Sequence, residues 1–346
     1  MRDVIESIDQ WRAEGQSVAL ATVVQTWGSS PRQAGAKMAL TSAGQITGSV
    51  SGGCVEGAVY ESGVEALQTG QPRLLHFGVA DETAWEVGLA CGGSIDVFVQ
   101  PLAAEFYERV HAALLANAPF ASVTLVHAPD ELLGRTLLVD EHGPRWGSLS
   151  PDLDGPALEL ARLALAEGQS RRARLAEGVD AFVEVVLPPP TLIAVGGVHI
   201  TIALVALAKT LGYYTIVVDP RKAFGSAKRF PHVDKLVQAW PDEALADIPL
   251  TRGTAVAMLT HDPKLDDPAL KLVLPSPAFY VGALGSRNTQ AKRRQRLLEE
   301  GLSEESIKRL HGPIGLELGA STPEEIALSI MAEIVATRNG SQPAGA

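Results

Sequence analysis

Only two cysteines, Cys54 and Cys91, occur in the 346 residues. Two thiols make no disulfide framework, and they fall short of the four thiolates that hold an iron–sulfur cluster. A complete iron–sulfur hydroxylase is therefore excluded. Basic charge is scarce as well: 29 Lys and Arg face 40 Asp and Glu, a formal charge of −11, so the basic face of a nucleic-acid binder is not expected. Long apolar runs are few. Residues 191–208 lack Asp, Glu, Lys and Arg and are long enough to raise a membrane span, yet Gly196, Gly197 and His199 interrupt them, and they divide better into strand, turn and helix. Residues 1–16 are charged throughout and show no apolar core of a secretory signal. No membrane association and a reducing cytoplasm are the expectations.

What the chain does have is ordinary globular material, 46% hydrophobic and 20% charged, enough for large cores without cross-links. Pro188-Pro189-Pro190 fits neither a helix nor a central strand and reads as a stiff spacer. It divides the chain into residues 1–187 and 191–339, with 340–346 as a small-residue, frayed tail.

A degenerate repeat runs through the first region. Lys37-Met38-Ala39-Leu40, Gly44 and Gly48-Ser49 recur 99 positions later as Thr136-Leu137-Leu138-Val139, Gly143 and Gly147-Ser148. A helix pattern follows each, over 55–67 and 157–166. Ile95-Asp96-Val97-Phe98-Val99 then recurs after 84 positions as Val179-Asp180-Ala181-Phe182-Val183. Two similar α+β halves, 1–103 and 104–187, are expected in one domain. The second half has Leu153 where the first has Cys54, and no preceding Gly-Gly pair, so the chemistry is expected in the first.

The second region alternates strands (191–195, 214–218, 254–259, 279–281) with helices such as 198–211, which predicts a Rossmann-like, doubly wound parallel sheet. Thr322, Pro323 and Glu325 form a capping box that opens a last helix.

Two candidate sites emerge. In the first, Ser51-Gly52-Gly53-Cys54 opens a helix, where unpaired backbone N–H groups face an anion and favour a thiolate. Cys91-Gly92-Gly93 repeats the pattern before a strand. Two such thiols suit a soft metal, a sulfur relay or a redox pair, although free cysteine is often merely buried and inert. Gly28-Ser29-Ser30-Pro31-Arg32 is a further small-residue loop whose Arg32 fork suits a phosphate. In the second site, Gly196-Gly197-Val198-His199 occupies the place of a dinucleotide turn, with Asp219 at the spacing of a ribose-binding acid. Val198 and Thr201 stand where glycines belong, which weakens NAD(P) binding. His261, Asp262, Ser286 and Arg287 follow later strands and are expected at one crevice. The basic run Lys292-Arg293-Arg294 with Arg296 reads as a solvated helix face.

These residues resemble a known family. The run 48–56 and the run Cys91 to Phe98 resemble the N-terminal domain of the XdhC/CoxI family of xanthine dehydrogenase accessory factors. Residues 260–266, 280–287 and His311-Gly312-Pro313-Ile314-Gly315 resemble that family's Rossmann-like C-terminal domain. The resemblance implies an accessory chaperone rather than a catalyst. It implies binding of the molybdenum cofactor, support for its sulfuration by a cysteine desulfurase, and insertion into a xanthine dehydrogenase-type hydroxylase. Cys54 and Cys91 would then lie near the cofactor or its metal, with the glycine loops as backbone donors. An NAD(P)-dependent oxidoreductase is the alternative function, and a homodimer is the default assembly.

Overall fold

Residues 18–24 read Val-Ala-Leu-Ala-Thr-Val-Val, small and β-branched side chains that suit a strand covered on both faces, and all but Thr22 are buried. That strand is central to one of two matching sheets in the first of two units, Met1–Pro188 and Pro189–Ala346. The computed structural model describes residues 1–30, 32–78, 93–140 and 142–340.

In the first unit the elements run α1 (Ile5–Ala13), β1 (Val18–Trp27), β2 (Lys37–Thr41), β3 (Ile46–Gly48), α2 (Glu56–Thr69), β4 (Arg73–Phe77) and β5 (Ser94–Pro101). The same succession then repeats: α3 (Ala104–Leu115), β6 (Phe120–His127), β7 (Thr136–Asp140), β8 (Gly143–Gly147), α4 (Pro151–Glu167), β9 (Arg171–Ala176) and β10 (Val179–Val186). The sheet orders, β3-β2-β1-β5-β4 and β8-β7-β6-β10-β9, are the same order twice. Within each half the strands pair antiparallel. The repeated sequence segments fall on equivalent strands, β2 with β7 and β5 with β10. Helices α2 and α4 each cover one face of their own sheet through cores around Val55, Val59 and Ala66, and around Leu153, Ala157 and Ala161. The opposite faces meet in one core, to which equivalent residues contribute: Val24 and Val126, Phe98 and Phe182.

The second unit runs β11 (Thr191–Val195), α5 (His199–Thr210), β12 (Tyr214–Val218), β13 (Lys235–Val237), α6 (Pro241–Asp247), β14 (Thr254–Met258), α7 (Pro263–Val273), β15 (Tyr280–Ala283), α8 (Arg287–Glu299), α9 (Glu304–Lys308), β16 (Leu310–His311) and α10 (Pro323–Arg338). Its sheet is parallel throughout, in the order β13-β12-β11-β14-β15-β16. This is a doubly wound arrangement with its switch point between β11 and β14. Leu204 of α5 and Ile330 of α10 pack on one face, and Leu270 of α7 and Leu297 of α8 on the other. The uncharged run 191–208 is β11, a turn and α5, and among the described residues no helix is long and apolar enough to cross a membrane. The capping box forms as expected at Thr322 and Glu325.

One expectation is corrected. The basic run of α8 is solvated only in part: Lys292 is exposed, but Arg293 is 2% exposed and pairs with fully buried Asp266 at 2.8 Å. Arg296 pairs with Asp267 at 2.6 Å. Burial pushes the Asp266 carboxyl up, partly offset by Thr260 and Arg293.

Candidate functional site

The turn before α2 is organised by one carboxylate. Gly52 and Gly53 take positive φ angles of 84° and 122°, a region open to glycine and costly for other residues, and so fold the chain back over the helix start. Glu56 lies beneath. It accepts Ser49 Oγ and Ser51 Oγ, each at 2.6 Å, and the backbone N–H groups of Ser51 (2.9 Å), Gly52 (3.1 Å) and Gly53 (2.9 Å). Burial raises its pKa, but the two hydroxyls and the loop N–H groups outweigh that and hold it at about 2. The donors expected to face an external anion are thus already committed to an internal one. The signal was in the sequence as Gly53-x-x-Glu56, the spacing of a side chain that reaches back to the first-turn N–H groups.

The second half carries the same device in reduced form. Asp154 accepts Ser148 Oγ at 2.6 Å and Leu149 N at 2.7 Å. The carboxylate latch therefore belongs to the repeated fold. The Gly-Gly turn and Cys54 belong to the first half alone. Cys54 is exposed, with its backbone N–H donating to Ser51 Oγ at 2.9 Å.

Antiparallel pairing brings other loops to the same end of the first sheet. Trp27 ends β1 opposite Ser94, which begins β5, and Phe77 ends β4 opposite Ile95. Arg32 reaches across to the Cys54 turn, with Nε donating to Ser49 O at 3.2 Å and Nη2 lying 3.4 Å from Asp3. Gly93 packs against the Trp27 and Ser29 carbonyls, where a Cβ would collide. Cys91 and Gly92 lie outside the described residues, as do Trp85 and Pro31. Among the described residues no group of three His, Cys, Asp or Glu could hold a metal ion.

In the second unit the crevice at the carboxyl ends of the strands is partly filled by the chain itself. Asp219, fully buried at the end of β12, accepts Gly197 N (2.7 Å), Arg221 N (2.9 Å), Arg221 Nε (2.9 Å) and Arg221 Nη2 (2.7 Å). Burial raises its pKa, but these bonds overcome that and lower it. A Cβ on Gly197 would stand 2.5 Å from the Phe224 carbonyl, so residues 224–225 lie on the turn where a pyrophosphate would approach. Arg229 donates to the Gly197 carbonyl, and the Arg221 guanidinium stacks 4.1 Å from the Phe224 ring centre. Thr201 turns its hydroxyl onto the Gly196 carbonyl at 2.5 Å.

The other expected crevice residues have local tasks. His199 is exposed, 4.0 Å from Glu324. His261 takes a positive φ of 62°. Asp262 caps α7 through Lys264 N, and Ser286 caps α8 through Thr289 N. Arg287 is exposed at the start of α8. Sequence reasoning missed a polar cluster here: Glu333 accepts Tyr280 Oη (2.5 Å), His311 Nδ1 (3.0 Å) and Gly315 N (2.7 Å). Burial and the neighbouring Glu333 charge push the Tyr280 phenol well up. Its members lie on β15, β16, the loop after β16 and α10, and meet only through the pairing of β15 with β16 and the packing of α10.

The chain matches two family descriptions, "XdhC and CoxI family" over residues 11–78 and "XdhC Rossmann domain" over residues 192–334. It is 29% identical over 337 residues to a Bacillus subtilis protein named as a probable xanthine dehydrogenase subunit, covering 96% of each chain. It is 27% identical over 325 residues to the Escherichia coli "Molybdenum cofactor insertion chaperone PaoD", covering 94% of this chain and 84% of that one. A crystal structure from Bacillus halodurans, described as a xanthine dehydrogenase, superposes with a TM-score of 0.76 at 25% identity, covering 99% of this chain and 97% of that one.

Proposed function

The chain belongs to the XdhC and CoxI family, and from that premise we propose that it binds the molybdenum cofactor as cargo and delivers it to a xanthine dehydrogenase-type hydroxylase. The observation that carries this reading is the asymmetry of the repeat. Both halves keep the carboxylate latch, and only the first adds a Gly-Gly turn that presents an exposed Cys54. A soft sulfur ligand suits a molybdenum–dithiolene cargo. The relative named as a molybdenum cofactor insertion chaperone supports the same role.

The cargo's phosphate needs donors other than the Gly52 and Gly53 N–H groups, which Glu56 holds. Ser29 and Arg32, on the neighbouring loop, remain the candidates, the Ser30 hydroxyl being held by the Arg32 carbonyl at 2.7 Å. Support for sulfuration by a cysteine desulfurase, action as a homodimer without catalysis of its own, and residence in the cytoplasm complete the proposal. The NAD(P)-dependent alternative finds no support, because Asp219 and the Gly197 turn are engaged by Arg221, Phe224 and Arg229.

Co-expression of the Cys54→Ser variant with a client hydroxylase tests the reading. The expected result is apo-hydroxylase lacking cofactor, with the variant's thermal midpoint unchanged. Full cofactor content in the client would remove Cys54 from the delivery step.

A further inference from the structure

The pairing of β4 with β5 sets His76 opposite Asp96, and the pairing of β9 with β10 sets Arg174 opposite Asp180. Asp96 and Asp180 are equivalent positions of the repeat, so His76 and Arg174 are equivalent too. Both aspartates share one further partner: Arg172 donates Nη1 to Asp96 at 2.6 Å and Nη2 to Asp180 at 2.9 Å. Each aspartate then holds its own cross-strand neighbour, His76 Nδ1 at 2.6 Å and Arg174 Nε at 3.8 Å. If neutralising a buried carboxylate were the whole task, arginine would serve in both halves. The first half has an imidazole instead, and an imidazole has what a guanidinium lacks: a second ring nitrogen able to accept as well as donate.

The ring that carries it is largely exposed, with Nε2 beside Gly78. Asp96 is 6% exposed and fixes Nδ1, while the His76 side chain is 64% exposed and its Nε2 has no partner among the described residues. Beside it stands Trp27, 46% exposed, its ring centre 6.0 Å from that of His76 and the two planes inclined at 65°. Two rings so inclined form a corner, and a flat ring stacked on the indole turns its edge toward the imidazole. The corner lies at the same end of the sheet as Ser29 and Gly93. The second half has Pro129 at the position equivalent to Trp27, two residues past the cross-strand neighbour of its aspartate, so it lacks both sides of the corner.

We propose that Trp27 and His76 form a pterin subsite, in which the indole stacks on the fused heterocycle and His76 Nε2 hydrogen-bonds to its polar edge. The subsite rests on the cargo reading above and gives it a place for the organic part of the cofactor. Guanine shares the amino-oxo-pyrimidine edge of a pterin, so both must be tried.

The test is equilibrium titration with two probes, molybdopterin released anaerobically from a purified molybdoenzyme, and GMP. The chains are the unchanged protein, Trp27→Ala, Trp27→Phe and His76→Arg. The last restores the ion pair seen at Arg174, so the fold is expected to hold, and thermal midpoints check this. Trp27→Ala is expected to weaken molybdopterin binding about tenfold or more, the scale of losing one stacked base. Trp27→Phe should recover most of that loss, and His76→Arg should weaken binding several-fold with an unchanged midpoint. Equal affinity for molybdopterin in all four chains would overturn the subsite while leaving the cargo reading intact. Failure of the unchanged protein to bind molybdopterin would overturn both. Binding of GMP as tight as that of molybdopterin would overturn the pterin assignment.

Discussion

Glu56→Gln removes the charge from the latch under the Cys54 turn while keeping the side chain's size. The carboxyl falls from 4.5 to about 2 on folding, which caps the preference for the charged form at roughly 3 kcal/mol. Glu56 is only half-buried, so solvent screening brings the expected contribution to about 1–2 kcal/mol. The folded pKa lies below the unfolded one. The contribution is therefore complete above about pH 4.5 and is lost as the pH falls toward about 2, with less than half left at about pH 3. Urea unfolding followed by tryptophan fluorescence reads this directly in a Trp240→Phe background, because Trp11, Trp27, Trp85 and Trp146 all lie in the first unit. At neutral pH the variant should be about 1–2 kcal/mol less stable, and the gap should shrink to under half near pH 3. A gap that is the same at both pH values would refute the argument, since it would show that Glu56 acts by shape and not by charge. Asp154→Asn, which cuts into a latch of two hydrogen bonds, should cost measurably less.

Arg293→Ala leaves Asp266 buried without its cation and is expected to cost about 3–5 kcal/mol, read as early unfolding of the second unit by calorimetry. Arg293→Leu with Asp266→Leu should recover much of that loss. Tyr280→Phe removes one of three donors to Glu333 and should cost about 1–3 kcal/mol, with His311 and Gly315 still bonded. Calorimetric titration of the unchanged protein with NADH or NADPH should show no saturable binding at millimolar ligand, and a stoichiometric isotherm would reopen the nucleotide reading. The Cys54→Ser and Trp27→Ala experiments above complete the set.

Repeated patterns were readable in the sequence because strand alternation and glycine turns leave a local trace. The Lys37–Leu40 and Thr136–Val139 segments could be matched without knowing what they touch, and the Thr322–Glu325 capping box is complete within four residues. What could not be read involves partners that are distant or locally in competition. Arg293 looked solvated because Asp266, 27 positions earlier, is the reason it is buried. Asp219 had the spacing of a ribose ligand, and Arg221, two positions later, turned back to occupy it. The Glu56 latch lies within reach of the capping rules, because its partners Ser49 to Gly53 are at most seven positions away. Asp96 and His76 are 20 positions apart and meet only because β4 and β5 pair.

Arg172 serves both aspartates at the meeting of two sheets that face each other through equivalent residues. Its counterpart in the first copy is Leu74, set opposite Phe98 as Arg172 is set opposite Phe182. Identical polypeptides associating about a twofold axis would bring such a guanidinium in duplicate, and two cations would crowd one pair of anions. Joining the copies into a single gene product lifts that constraint, because each lobe can then drift alone. One lobe carries the cation that joins both aspartates, and the other carries the indole, the imidazole and, on a separate turn, the thiol.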